Sequence, residues 1–240
     1  MTQNPKLQNK IVWITGSGRG IGKAAAMQLA AQGARVVVSA RSVDEIDRTA
    51  KEIHQNQGTA MAIRCDVTQP EQISALLTQV KETWGPVDIL INNAGIGYFK
   101  KIIDFDPDKW DEMMNTNLKA AFLCARAVLP DMIERGAGHI INVVSVAGKK
   151  TFPSNAGYCA SKFGLLGFTD VLRMETRQHG IKVTAFLPGA TDTDIWGNAN
   201  VDRSKMLTPG QVADSITSIC LTEPHAMPEE VVLRPIGGDF

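Results

Sequence analysis

The chain has 240 residues, 44% of them hydrophobic, and its 25 lysines and arginines balance 25 aspartates and glutamates to a formal net charge of +0. That length suits one globular domain with a sizeable core, and the neutral balance excludes a general attraction to nucleic acid or anionic lipid. No apolar run reaches the ~18 residues of a membrane span, and the polar start, residues 1–10, lacks a signal-peptide core, so a cytoplasmic setting is expected.

Along the chain, β-rich runs alternate with helical stretches. Ile11, Val12, Trp13 and Ile14 open it as an apolar strand, and "TGSGRGIGK" follows at residues 15–23. A helix is predicted over 21–32, a strand at 36–38, a short connection at 39–43 and a helix at 44–57. Next come a strand at 60–64, a helix at 71–83 stopped by Gly85 and Pro86, and a strand at 87–91. A long helical stretch at 109–135 contains Pro130, which is expected to kink or split it, and ends at Gly136. After a strand at 139–144, a helix at 158–179 stops at Gly180. A strand at 181–187, a helix at 209–221 and a last strand at 230–233 complete the chain. This alternation predicts an α/β domain with a parallel sheet and helices on both faces. In such sheets ligands bind beyond the carboxyl ends of the strands.

Glycines 16, 18, 20 and 22 lie between a strand and a helix. There they let the backbone turn tightly and approach a ligand, while free N–H groups at the helix start face an anion. A pyrophosphate suits such a turn. The spacing is neither GxGxxG nor a P-loop, since no Gly-Lys-Ser/Thr follows. The cysteines (Cys65, Cys124, Cys159, Cys220) form no CxxC and read as reduced thiols. The histidines show no metal-ligand spacing, so no metal is expected.

These motifs resemble the short-chain dehydrogenase/reductase family. TGxxxGxG matches residues 15–22, "NNAG" lies at 92–95, "YCASK" at 158–162 fits YxxxK, and Pro188-Gly189 follows a strand. Together they span most of the chain, and they look most like the 3-oxoacyl-carrier-protein-reductase-like branch. The resemblance implies a single Rossmann-type domain, a doubly wound parallel sheet over residues 1–240. It also implies a nucleotide held by Gly16, Ser17, Arg19, Gly20, Ile21 and Gly22, by Asp66 and Val67 at the adenine, and by Asn93 and Gly95. Thr191 and Thr193, after Pro188 and Gly189, would meet the nicotinamide. Tyr158 and Lys162 would also contact the cofactor.

The chemistry of that resemblance can be stated in residues. Tyr158 and Lys162 are four apart and share a helix face. Carbonyl reduction needs a proton donor at the forming alkoxide, and a lysine ammonium near a phenol is expected to lower its pKa from about 10. By resemblance Ser145 orients the carbonyl, and Asn117 interrupts the long helix and holds a water in a relay to the lysine. Cys159 lies on a different helix face from Tyr158, without a histidine, and reads as a packing residue.

Cofactor choice is read after the second strand. Where an NAD enzyme of this fold carries an acid, the chain has Ala40. Arg41 follows, Arg19 lies in the glycine loop, and Ser39 is close by in sequence. Two guanidiniums and Ser39 around one spot suit a 2′-phosphate, so NADP(H) is expected. A substrate lid is expected at about 190–207. It contains Ile195, Trp196 and Met206 among Asn198, Asn200 and Asp202, with Tyr98, Phe99 and Phe152 as possible partners. The leading reading is an NADPH-dependent reductase of a small-molecule ketone. The alternatives are an NADP-dependent sugar or polyol dehydrogenase and a non-catalytic NADP-binding sensor. By resemblance the chain forms a homodimer or homotetramer, with Leu165, Leu166 and Phe168 as candidates for the seam.

Overall fold

The computed structural model describes residues 7–197 and 201–238. Asn198 and Asn200 of the expected lid lie outside the described residues. Seven strands form one parallel sheet: β1 (Ile11–Thr15), β2 (Arg35–Ala40), β3 (Thr59–Arg64), β4 (Ile89–Asn92), β5 (Gly138–Val143), β6 (Ile181–Pro188) and β7 (Glu230–Leu233). Their order is β3-β2-β1-β4-β5-β6-β7. The inner strands are buried on both faces, which is why β1 reads as the unbroken apolar run IVWI rather than as an alternation. Trp13, Ile14, Leu90 and Ile91 are fully buried, each contributing ~1.5–3 kcal/mol by leaving water.

Helices α1 (Gly20–Ala31), α2 (Val43–Gln55) and α7 (Pro209–Cys220) cover one face. There Ala25, Leu29, Ile46, Ile53, Val212 and Ile216 pack with Val12 and Ile14. Helices α3 (Pro70–Thr83), α5 (Ala120–Arg135) and α6 (Ala156–Thr176) cover the other. There Ile73, Leu76, Cys124, Val128 and Leu172 pack with Trp13 and Leu90. The short α4 (Pro107–Met114) leans on the start of α6, where the Met113 side chain fills the space beside Gly157. The chain leaves β1 toward β2 and β3, then crosses back to β4. The carboxyl ends of β1 and β4 therefore face a crevice at the point where the winding reverses.

Two expectations about the helices need correction. The 109–135 stretch is not broken at Pro130, which sits inside a continuous α5; it is interrupted at a π-helical turn, Asn115–Lys119. Tertiary hydrogen bonds at Asn117, described below, hold that turn. Leu165 cannot form an intersubunit seam: it is 1% exposed, packed with Val144, Ala185 and Leu187 under the sheet. The large apolar side chains that α5 and α6 turn outward are Phe122, Ile133, Phe163, Val171 and Met174, with Leu166 and Phe168 half-buried. The predicted stops at Gly136 (φ 61) and Gly180 (φ 70) are present in left-handed geometry. Among the described residues no helix is long and apolar enough to cross a membrane.

Candidate active site

A crevice of about 600 Å³ opens at the carboxyl ends of the strands, lined by residues from the loop after β1 to the turn that holds Trp196. The glycine loop forms its floor. Gly16 has φ 64, and a Cβ there would stand 2.9 Å from Ala94 Cα, so only glycine allows this turn against β4. Asn93 pins it: its Nδ2 donates to Thr15 O at 2.9 Å and Gly16 O at 3.1 Å. Thr15 Oγ1 in return accepts from the backbone N–H of Asn93 and of Ala94. The N-terminus of α1 has no side-chain cap and no acidic residue in its first turn. Its free N–H groups are therefore left to an anion in the crevice. Gly20 and Ile21 line that opening, whereas Gly22 does not. Its role is close packing, since a Cβ there would fall 2.4 Å from Gly16 O.

Two predicted nucleotide contacts are redirected. Ser17 is fully buried, its Oγ donating to Ile14 O at 2.7 Å and accepting from Ser39 N at 2.8 Å. Ser39 is also buried, its Oγ accepting from Trp13 Nε1 at 2.8 Å and donating to Ile14 O at 3.2 Å. Both hydroxyls stitch β1 to β2, and neither reaches the crevice. At that end the wall is made by Ala40, Arg41, Ser42, Glu45, Cys65, Asp66 and Val67. Asp66 Oδ1 accepts from Thr68 N and Oγ1 at 3.0 and 2.8 Å, which fixes the turn after β3. Burial, and to a lesser degree Asp66, together push the Cys65 thiol up to about 11, so it stays protonated. Arg19 Nη1 lies 3.6 Å from Glu45 Oε1 and 3.5 Å from Asp194 Oδ2. These two carboxylates were not anticipated. A glutamate in a first helical turn ordinarily reads as a partner of the helix dipole.

At the other end the predicted catalytic residues converge. Ser145 follows β5, its Oγ accepting from Ala147 N at 3.1 Å. Tyr158 and Lys162 stand on the first turns of α6, with Lys162 Nζ 5.7 Å from the Tyr158 ring centre. Lys162 is 4% exposed and donates to Val143 O at 2.9 Å. Burial pulls its pKa down from 10.5 to about 7. Burial likewise pushes the Tyr158 phenol up to about 12, with the Ser145 hydroxyl acting against it and Cys159 adding to it. The expected lowering of the phenol by the lysine is therefore reversed, because burial disfavours the charged form of both groups.

Asn117 sits in the π turn and does not line this crevice. Its Oδ1 accepts from Ile96 N at 2.8 Å, and its Nδ2 donates to Ile96 O at 2.9 Å and Ser161 Oγ at 3.1 Å. Ser161 Oγ itself donates to Tyr158 O at 2.8 Å. Ser161 thus joins the π turn to the catalytic helix, a role that nothing in the sequence announces.

Aromatic rings wall the space above Tyr158. Phe99 meets Tyr158 edge-on at 5.9 Å and stacks on Trp196 at 5.6 Å. Tyr98, Phe152 and Ile195 complete the lining, whereas Met206 is buried away from it. Trp196 is held by its Nε1–H, which donates to Thr191 O at 2.8 Å. Thr191 Oγ1 donates to Gly189 O at 3.0 Å. Pro188, Gly189, Thr191, Thr193 and Gly95 also border the crevice.

Residues 10–204 match the family model described as short chain dehydrogenase. An uncharacterized oxidoreductase of Staphylococcus aureus is 36% identical over 231 residues, covering 96% of this chain and 99% of its own. A counterpart in Staphylococcus haemolyticus is 34% identical over 232 residues, with coverage of 96% and 99%. Among solved structures, a metagenomic short-chain oxidoreductase in complex with NADP superposes with a TM-score of 0.85 at 35% identity, covering 96% of this chain and 98% of its own. The alcohol dehydrogenase of the archaeon Thermococcus sibiricus, complexed with 5-hydroxy-NADP, gives a TM-score of 0.89 at 28% identity, with coverage of 95% and 97%. On these matches, and with the glycine loop and the Ser145–Tyr158–Lys162 constellation in place, the chain belongs to the short-chain dehydrogenase family.

Proposed function

We propose that this protein is an NADPH-dependent carbonyl reductase that converts a ketone to a secondary alcohol, with Tyr158 as general acid. The observation that carries the reading is the convergence of Ser145, Tyr158 and Lys162 in a crevice that Arg19 and Arg41 also line. The residues fit a dinucleotide. The uncapped start of α1 and the Gly16 turn would hold the pyrophosphate. Arg41 and Arg19 would hold a 2′-phosphate, with Ala40 leaving the preceding position uncharged. Gly95, Thr191 and Thr193 would border the nicotinamide. Two related structures hold NADP-type nucleotides, which favours the same choice here.

When bound, the nucleotide supplies the hydride that adds to the carbonyl carbon. As the C=O π electrons move onto oxygen, that oxygen takes the proton of Tyr158. Ser145 donates a hydrogen bond to the same oxygen and fixes its position. A phenol near 12 is fully protonated at neutral pH, the form a donor needs. It is still a far stronger acid than the alcohol being formed, so transfer of its proton to the developing alkoxide is favourable. Lys162, near 7, is poised to return a proton to the phenolate.

Oxidation of a sugar or polyol would run the same residues in reverse with Tyr158 as base, but the crevice meets its substrate with Phe99, Phe152 and Trp196, which favour a less polar one. A pure sensor would have no use for Ser145, Tyr158 and Lys162 gathered in one crevice. The aromatic wall suits a ketone carrying an apolar substituent. The reading is tested by following NADPH loss, with NADH in parallel, over a 3-oxoacyl thioester, a diketone, a ketosugar and a bicyclic ketone. No turnover of any of them, despite NADPH binding, would overturn it. We also place a homo-oligomer seam on the outward Phe122, Phe163, Val171 and Met174. Sedimentation showing a monomer alone would refute that.

A further inference from the structure

We propose that Asp194 is a positioning residue that ties recognition of the cofactor's 2′-phosphate to the substrate wall, with Arg19 as the shared partner. The proposal rests on the NADP reading above. Its starting point is that one nitrogen, Arg19 Nη1, faces two carboxylates, Glu45 on α2 at 3.6 Å and Asp194 at 3.5 Å. The Arg19 side chain is 65% exposed and that of Asp194 68%. Exposed pairs of this kind are weak and exchange readily. A 2′-phosphate carries a larger negative charge and more acceptor oxygens than either carboxylate, so it competes effectively for the guanidinium.

Asp194 is not an isolated surface acid. It opens the single turn Asp194–Trp196, closed by Gly197 N donating to Asp194 O at 3.0 Å. The residue before it, Thr193, places its methyl 3.4 Å from where a Gly20 Cβ would stand, so this segment lies on the glycine loop. The turn ends at Trp196, which stacks on Phe99, and Phe99 meets the Tyr158 ring. A charge change at Asp194 is thus one helical turn from the surface that a ketone would touch. With NADH, Arg19 stays on Glu45 and Asp194. With NADPH it is drawn to the phosphate, and Asp194 loses a partner. The two nucleotides should therefore present different substrate walls and give different ketone KM values.

The test uses 2′,5′-ADP and 5′-AMP as probes, with tryptophan fluorescence and calorimetry, on the wild type, Asp194→Asn and Trp196→Phe. The wild type should change emission with 2′,5′-ADP and not with 5′-AMP, and Trp196→Phe should lose that change. Asp194→Asn should lose the change too, and should bind 2′,5′-ADP about three- to fivefold more tightly, since one competitor for Arg19 is gone. Its ketone KM should no longer depend on which nucleotide is supplied, which a merely structural role would not produce. An Asp194→Asn protein that responds like the wild type, or binds 2′,5′-ADP more weakly, overturns the coupling while leaving the NADP reading intact. Equal affinity of the wild type for the two probes overturns both.

Discussion

Replacing Lys162 with methionine removes an amine that is 4% exposed and whose pKa falls from 10.5 to about 7 because it is buried. The sign of the effect on stability follows from proton counting. Unfolded chains hold the lysine proton up to about 10.5, whereas the folded protein releases it near 7. Between those values the unfolded state binds more protons, so stability rises with pH. Each unit is worth ~1.4 kcal/mol, so the full shift corresponds to ~5 kcal/mol, of which ~3 kcal/mol falls between about pH 7 and 9.5. The methionine variant lacks this dependence. The assay is urea unfolding of both proteins across that range, taking the difference at each pH so that shared groups cancel. Tyr158 acts in the opposite sense, since stability tied to its raised pKa is lost only as pH climbs from 10 through about 12, above the window. A flat difference between the two proteins would refute the claim that burial, rather than pairing, sets the state of Lys162.

Other outcomes are expected. Gly22→Ala would place a methyl 2.4 Å from Gly16 O and 2.6 Å from Asn93 Nδ2. It should cost ~1–3 kcal/mol in thermal or denaturant unfolding and weaken nucleotide binding by about tenfold or more, because the loop that forms the phosphate cradle must move. Arg41→Ala should weaken NADPH by roughly tenfold or more, the worth of a charged hydrogen bond, and leave NADH nearly unchanged in calorimetry. Asn142→Leu removes the acceptor for Asn92 Nδ2 and the donor to Thr169 Oγ1, both at 2.8 Å in the core. It should destabilise by ~2–4 kcal/mol in denaturant while the circular dichroism of the remaining fold persists.

Much of this was legible in the residues, for definite reasons. The glycines at 16, 18, 20 and 22 fall between an apolar run and a helix, a placement that the backbone demands of few other residue types. Ser145, Tyr158 and Lys162 meet because a parallel sheet gathers its strand ends on one side. What escaped depends on distant contacts. Ser39 is adjacent in sequence to Arg41's neighbourhood but points into a sheet covered on both faces, where Trp13 claims its hydroxyl. The interruption at Asn117 is implied by the family resemblance, but the bonds to Ile96 and Ser161 that hold it are not, and Pro130 leaves α5 continuous. Leu165 follows the apolar pattern of its helix but faces inward. The lysine–tyrosine pair was expected to be ruled by its charge, and burial of both groups rules it instead. The Arg19 cluster joins the loop after β1 to residues on α2 and beyond β6, a meeting that no local spacing encodes.

The central claim, that Tyr158 donates the proton in carbonyl reduction, is tested most directly with Tyr158→Phe. NADPH consumption with the best ketone of the panel should fall on the order of 10²–10⁴-fold, the usual worth of a positioned acid, with NADPH affinity changed by no more than about twofold, since the phenylalanine ring keeps the packing against Phe99. A variant that keeps most of the wild-type rate would contradict the account and move the proton donor to another group.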